Sequence, residues 1–180
     1  MKATRILLAA MVLGTALGAS QANAQNCSGN NGTCNTTNTA SVTVGALVKL
    51  IMSGSATALT SPTADNIDLG AVIQDAGPTF TIKANRSWTL KIKSSNATDW
   101  TYVGSNAGVK PIGDLAWATS GGGTYNAITN SDVTFASGAA ASNGTAASAF
   151  FRTTWVADFA SAANREGTYS LPIMFTLSAP

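Results

Sequence analysis

Few side chains in this sequence can move protons, attack a bond or hold a metal. The eight carboxylates are Asp65, Asp68, Asp75, Asp99, Asp114, Asp132, Asp158 and Glu166, and no histidine is present. Without histidine, a Ser–His or Cys–His nucleophile pair and any histidine metal ligand are ruled out. A glycosidase-like pair of acids that meet in space is a catalytic arrangement left open. All eight acids fall near expected loops or strand ends, where solvated carboxylates belong. Asp65-Asn66-Ile67-Asp68 offers oxygens to Ca²⁺ but lacks the further ligands of a recognised loop motif. The residues therefore point to a protein that is not an enzyme and carries no cofactor or metal.

Cys27 and Cys34 are separated by Ser-Gly-Asn-Asn-Gly-Thr. The spacing is not C-x-x-C, and no other soft ligand exists to make a metal or redox site. In an exported chain an even, close pair reads as a structural disulfide, a terminal staple contributing about 2.5 kcal/mol in the loop-entropy model. Export is expected from the first 24 residues. Lys2 and Arg5 form a basic start, Ile6 to Leu17 an apolar run, and Ala22-Asn23-Ala24 a small-x-small cleavage pattern. That run is about 12 residues where a membrane span needs roughly 20. The expected organisation is a signal peptide over 1–24, an Asn/Thr/Gly-rich segment over 25–39 and one domain over 40–180. After cleavage no membrane span remains, and the chain is extracellular, at the cell surface or in the periplasm.

The formal charge of +2 belongs to that leader, because removing Lys2 and Arg5 leaves eight bases against eight acids. A neutral chain has no electrostatic basis for binding nucleic acid. Near-zero charge also weakens repulsion between copies and permits self-association.

The elements that would position any site read as strands. Val42, Val44, Ala46, Val48 and Leu50 alternate at the period of a half-buried strand. Ile67–Val72 is a short strand candidate, and Asp75-Ala76-Gly77-Pro78 reads as a turn. Phe80, Ile82 and Ala84, then Trp88, Leu90 and Ile92, face inward on either side of Asn85-Arg86-Ser87, which suggests a hairpin or one bent strand. Lys91 and Lys93 lie on the solvated face. Trp100 with Tyr102, Leu115 with Trp117, and Val133 with Phe135 mark further strands. Residues 136–149, nearly all small and polar, read as a mobile loop. Residues 150–157 are apolar in both registers, as in a central strand. Tyr169, Leu171, Ile173, Phe175 and Leu177 point inward on the last strand, where Pro172 suggests an edge. About seven to nine short strands without an amphipathic helix imply an all-β antiparallel sandwich. A membrane β-barrel shares the alternation, but several strands fall short of the roughly 9–11 residues needed to span.

Two motifs carry a resemblance. Trp88-Thr89-Leu90 is a W-x-L triplet on a strand, and Gly167-Thr168-Tyr169, Ile173–Leu177 and Pro180 follow at the end. Together they resemble WxL-type bacterial surface domains, although the second triplet begins with Phe175 in place of Trp. The chain is also similar to exported adhesin- or pilin-like subunits. That resemblance implies an Ig-like β-sandwich at the cell surface, acting through protein or wall contacts. Pilin-like subunits of the donor-strand kind lend an N-terminal strand to a neighbour. Residues 41–52 would be that strand, or an ordinary first strand of their own sheet.

The expected function is a secreted structural or adhesive surface protein, with itself, other surface proteins, or wall and glycan polymers as partners. The alternative is a small carbohydrate-binding module using aromatics near loops. Trp100, Tyr102, Trp117 and Tyr125 are its candidate contacts, since exposed rings there stack on sugars or anchor a protein. Packing at the edge of the core is the competing role for the same rings.

Overall fold

In chain order the strands are β1 (Val48–Met52), β2 (Val72–Ala84), β3 (Trp88–Ser94), β4 (Thr101–Val103), β5 (Leu115–Ala118), β6 (Asn126–Ala127), β7 (Val133–Gly138), β8 (Ser142–Thr154), β9 (Thr168–Ser170) and β10 (Ile173–Ser178). They come from a computed structural model that describes residues 32–180. One sheet has the order β1-β2-β8-β5-β6, a second β10-β3-β7, and a ribbon pairs β4 with β9. All of these pairings are antiparallel. Strands β1 to β10 all belong to one compact unit, Val44–Pro180. Cys34 lies among the described residues, whereas Cys27 and the expected signal peptide lie outside them.

The two larger sheets face each other across aromatic rings. Phe80 of β2 meets Phe175 of β10 at 4.5 Å and Phe135 of β7 at 5.7 Å between centroids. Phe135 also meets Trp117 of β5 at 5.4 Å and Phe175 at 5.5 Å. Ile82, Leu90, Ile92, Leu115 and Phe151 fill the space around them. Two antiparallel sheets sharing one apolar interior form an all-β sandwich, the class implied by the alternation.

Several local expectations are corrected. Phe80–Ala84 and Trp88–Ile92 do not form a hairpin: β2 and β3 lie in different sheets, and Asn85-Arg86-Ser87 carries the chain between them. Inward-facing apolar residues are required of both arrangements, so alternation alone does not separate them. Ile67–Val72 is not a strand. Its first two residues end a short helix, α1 (Ala64–Asp68), started by Thr63 and Asn66 in a reciprocal capping box; Leu69 and Gly70 turn, and Val72 begins β2.

The Asp75–Pro78 segment does not turn the chain. It runs within β2 as a bulge, where the register against β8 gains one residue between Ala76 and Thr79. The bulge accommodates a proline that an unbroken central strand excludes. Gly77 is required there, because a Cβ would sit 2.6 Å from the Phe151 ring. Residues 136–149 are not a loop: they end β7 and begin the thirteen-residue β8. β8 lies between β2 and β5, as expected of a central strand. Pro172 breaks the last strand into β9 and β10, and β10 is an edge.

Truncating Phe80 removes the ring that touches both partners in the opposite sheet. Phe80→Ala is expected to cost about 3–5 kcal/mol, read as a lower urea midpoint. Gly138 abuts Trp88, whose indole occupies the space a Cβ at this position would need. Gly138→Ala is expected to cost about 1–3 kcal/mol in the same measurement.

Candidate functional site

On one side of the sandwich the two sheets end in β1 and β10, as on the other they end in β6 and β7. Among the described residues β1 pairs only with β2, and β10 only with β3. Along this side lies a groove of about 890 Å³. Met52, Ile173 and Phe175 line it from the two edge strands, and Trp100, Leu115, Phe151 and Trp155 also line it. Its outer margin is the irregular stretch Gly54–Pro62.

Two buried polar atoms on groove-lining residues have no hydrogen-bond partner among the described residues, Thr153 Oγ1 and Trp155 Nε1. An indole N–H only donates, so Trp155 lacks an acceptor. A third groove-lining residue, Lys110, is 1% exposed and fully engaged. Its Nζ donates to Asp114 Oδ2 at 3.0 Å and to the Thr154 carbonyl at 2.6 Å, and lies 4.2 Å from the Trp155 ring centroid. Burial lowers the Lys110 pKa from the ordinary 10.5, while the hydrogen bond and charge of Asp114 oppose the shift. The loop bearing Lys110 is fixed by main-chain bonds from Trp100 to Lys110 and from Ile112 to Thr98.

Local sequence reasoning missed Lys110 because Lys110-Pro111-Ile112-Gly113 reads as a turn. Asp114, four residues on, was the available signal. The groove itself had none, since its walls come from positions spread between Met52 and Phe175.

The four aromatics singled out from sequence are dispersed. Trp100 is 7% exposed, and its Nε1 donates to the Pro111 carbonyl at 3.0 Å. Trp117 is 5% exposed and packs on Phe135. Tyr102 lies against Tyr169, 4.9 Å between centroids, and its hydroxyl donates to the Glu166 carbonyl. Tyr125 lies 3.9 Å from the guanidinium carbon of Arg152. Trp100 alone of the four lines the groove.

The carboxylates are dispersed too. Asp114 pairs with Lys110, Asp132 with Lys93, and Asp75 accepts two bonds from Thr60. No cluster of three or more potential metal ligands occurs among the described residues. No helix among them is long and apolar enough to cross a membrane.

No protein-family model matches the sequence, and no curated protein matches it. One solved structure similar to this chain belongs to a chaperone–usher pilus studied for the molecular basis of rod uncoiling. The identity is 10%, the match covers 86% of this chain and 100% of that one, and the TM-score is 0.46.

Lys110 gives the site a pH signature. Between its lowered folded-state pKa and 10.5, the unfolded chain holds a proton that the folded chain has released. Its contribution to stability therefore rises with pH through that window. Lys110→Met leaves the Thr154 carbonyl without its donor and is expected to cost about 1–3 kcal/mol at neutral pH. Denaturant midpoints of both chains across the alkaline range should show the rise in the wild type relative to the variant.

Proposed function

We propose that this chain is an exported, non-catalytic structural subunit of a bacterial cell surface, which joins copies of itself or other surface proteins by strand addition. The observation that supports the reading is the open seam: two unpaired sheet edges beside a groove lined by large apolar side chains. The same chain presents a segment suited to fill it. Residues 32–47 are exposed and form no helix or strand. Val42 and Val44 are 88% and 66% exposed, and Ala40, Val42 and Val44 alternate at strand spacing. Residues 36–47 carry no charge, so their insertion between apolar walls buries none.

Within residues 41–52 the two readings from sequence divide. Val48–Met52 is an ordinary first strand, β1. Gly45 and Leu47 are held by Asn85, which leaves residues 36–44 as the segment to be lent. Cleavage after Ala24 and a Cys27–Cys34 bridge belong to this proposal, the bridge stapling the chain ahead of that segment.

The test is light scattering of the mature, oxidised chain across a concentration series. The apparent mass should grow with concentration. A Val42→Asp, Val44→Asp double variant should stay monomeric at every concentration. Its thermal midpoint should be unchanged, because substitutions at such exposed sites usually shift stability by no more than about 0.5 kcal/mol each. Assembly of that variant like the wild type overturns the role of residues 36–44. A wild type that is monomeric throughout overturns spontaneous self-association and directs the search to wall and glycan polymers.

A further inference from the structure

The segment that margins the groove is tied down in a particular way. At its start, Ser53 exchanges bonds with Thr79: its N–H donates to the Thr79 carbonyl at 2.9 Å, and its Oγ accepts from the Thr79 N–H at 3.0 Å. At its far end, Asp75, just before the bulge of β2, accepts from the Thr60 N–H at 3.1 Å and from the Thr60 hydroxyl at 2.5 Å. Between these ties the chain forms neither helix nor strand, and Leu59 is its one side chain packed against the core cluster. One half-buried leucine and one carboxylate latch to the exposed Thr60 are a light hold for a segment beside so large an apolar groove.

We infer that Ser53–Pro62 is a displaceable strap, an internal competitor for the groove, and that a strand arriving from a second copy takes the place of Leu59 once the Asp75–Thr60 latch opens. The inference rests on the groove being the docking site proposed above. The orphan atoms fit the exchange. Thr153 and Trp155 line the groove together with Leu59, and their Oγ1 and Nε1 have no hydrogen-bond partner among the described residues, whereas an extended strand brings main-chain carbonyls along its whole length. Exchange thus brings acceptors to the groove whose lining carries those two groups, and the latch sets its rate. Asp75 acts as a positioning residue, without contact to the incoming strand.

The experiment uses the full mature chain and a fluorescent peptide of its own residues 36–47. Association is followed by anisotropy, and strap opening by hydrogen exchange at the amides of residues 54–60. Asp75→Ala should raise exchange across the strap and raise the peptide association rate about tenfold, a modest factor for two bonds to a charged acceptor. Thr60→Val, which keeps the carboxylate and removes one of the two bonds, should move both readouts the same way by less. It also serves if the Asp75 variant fails to fold.

If exchange rises while the peptide associates with wild type and variants at equal rates, the strap is not a gate. The inference then falls while the docking reading stands. If the strap opens and the peptide binds no form of the chain, the docking reading falls and takes the inference with it. Unchanged exchange in both variants overturns the latch.

Discussion

The meeting of Phe80 with Phe135 and Phe175 is the contact on which the rest depends. Main-chain hydrogen bonds hold each sheet together, but they do not hold one large sheet to the other. Rings supply that union: Phe80 comes from the long sheet, while Phe135 and Phe175 come from the outer strands of the short one. Because Phe175 is on the edge strand β10, the contact that closes the interior also places one wall of the groove. Core and seam are thus made partly by the same residue, and the opening is part of the packing pattern, not a gap in it.

Lys110 shows how such an opening is kept from collapsing into an unsatisfied interior. A buried ammonium is costly unless each of its protons finds a partner. Here a carboxylate, a carbonyl and the face of an indole provide them. The arrangement fixes Trp155 beside the groove and ties the loop before β5 to the end of β8. A lysine serves in a place where an apolar residue would leave the Thr154 carbonyl unanswered.

Much of the architecture was legible because period-2 alternation is a local property. Residues 168–178 illustrate it: Tyr169, Leu171, Ile173, Phe175 and Leu177 do pack against the core, and Pro172 does mark an edge. What was illegible is non-local. Nothing in Phe80–Ile92 says whether the second strand pairs with the first or crosses to the facing sheet. The small residues of 142–149 become a strand because β2 is long enough to pair with them, a fact about residues sixty positions away. Asp75-Ala76-Gly77-Pro78 has turn chemistry, yet pairing with β8 before and after it holds it extended and leaves a bulge as the residue of the conflict. The groove was hidden for the same reason, being assembled from segments that share no motif. Thr63 and Asn66 are the exception: their three-residue spacing was a readable helix start.

Asn85 deserves a mechanical reading. It stands where the chain crosses between sheets. Its main-chain N–H donates to the Leu47 carbonyl, its side-chain carbonyl accepts from the Leu47 N–H, and its amide donates to the Gly45 carbonyl. A pull arriving along the chain ahead of Gly45 meets these three bonds before it reaches the ladder of β1. Since Asn85 joins the end of β2 to the approach of β3, the load divides between both sheets and is not borne by the outermost strand alone. The clamp is thus a strain relief, protecting the weakest edge of the sandwich from tension on the chain ahead of Gly45.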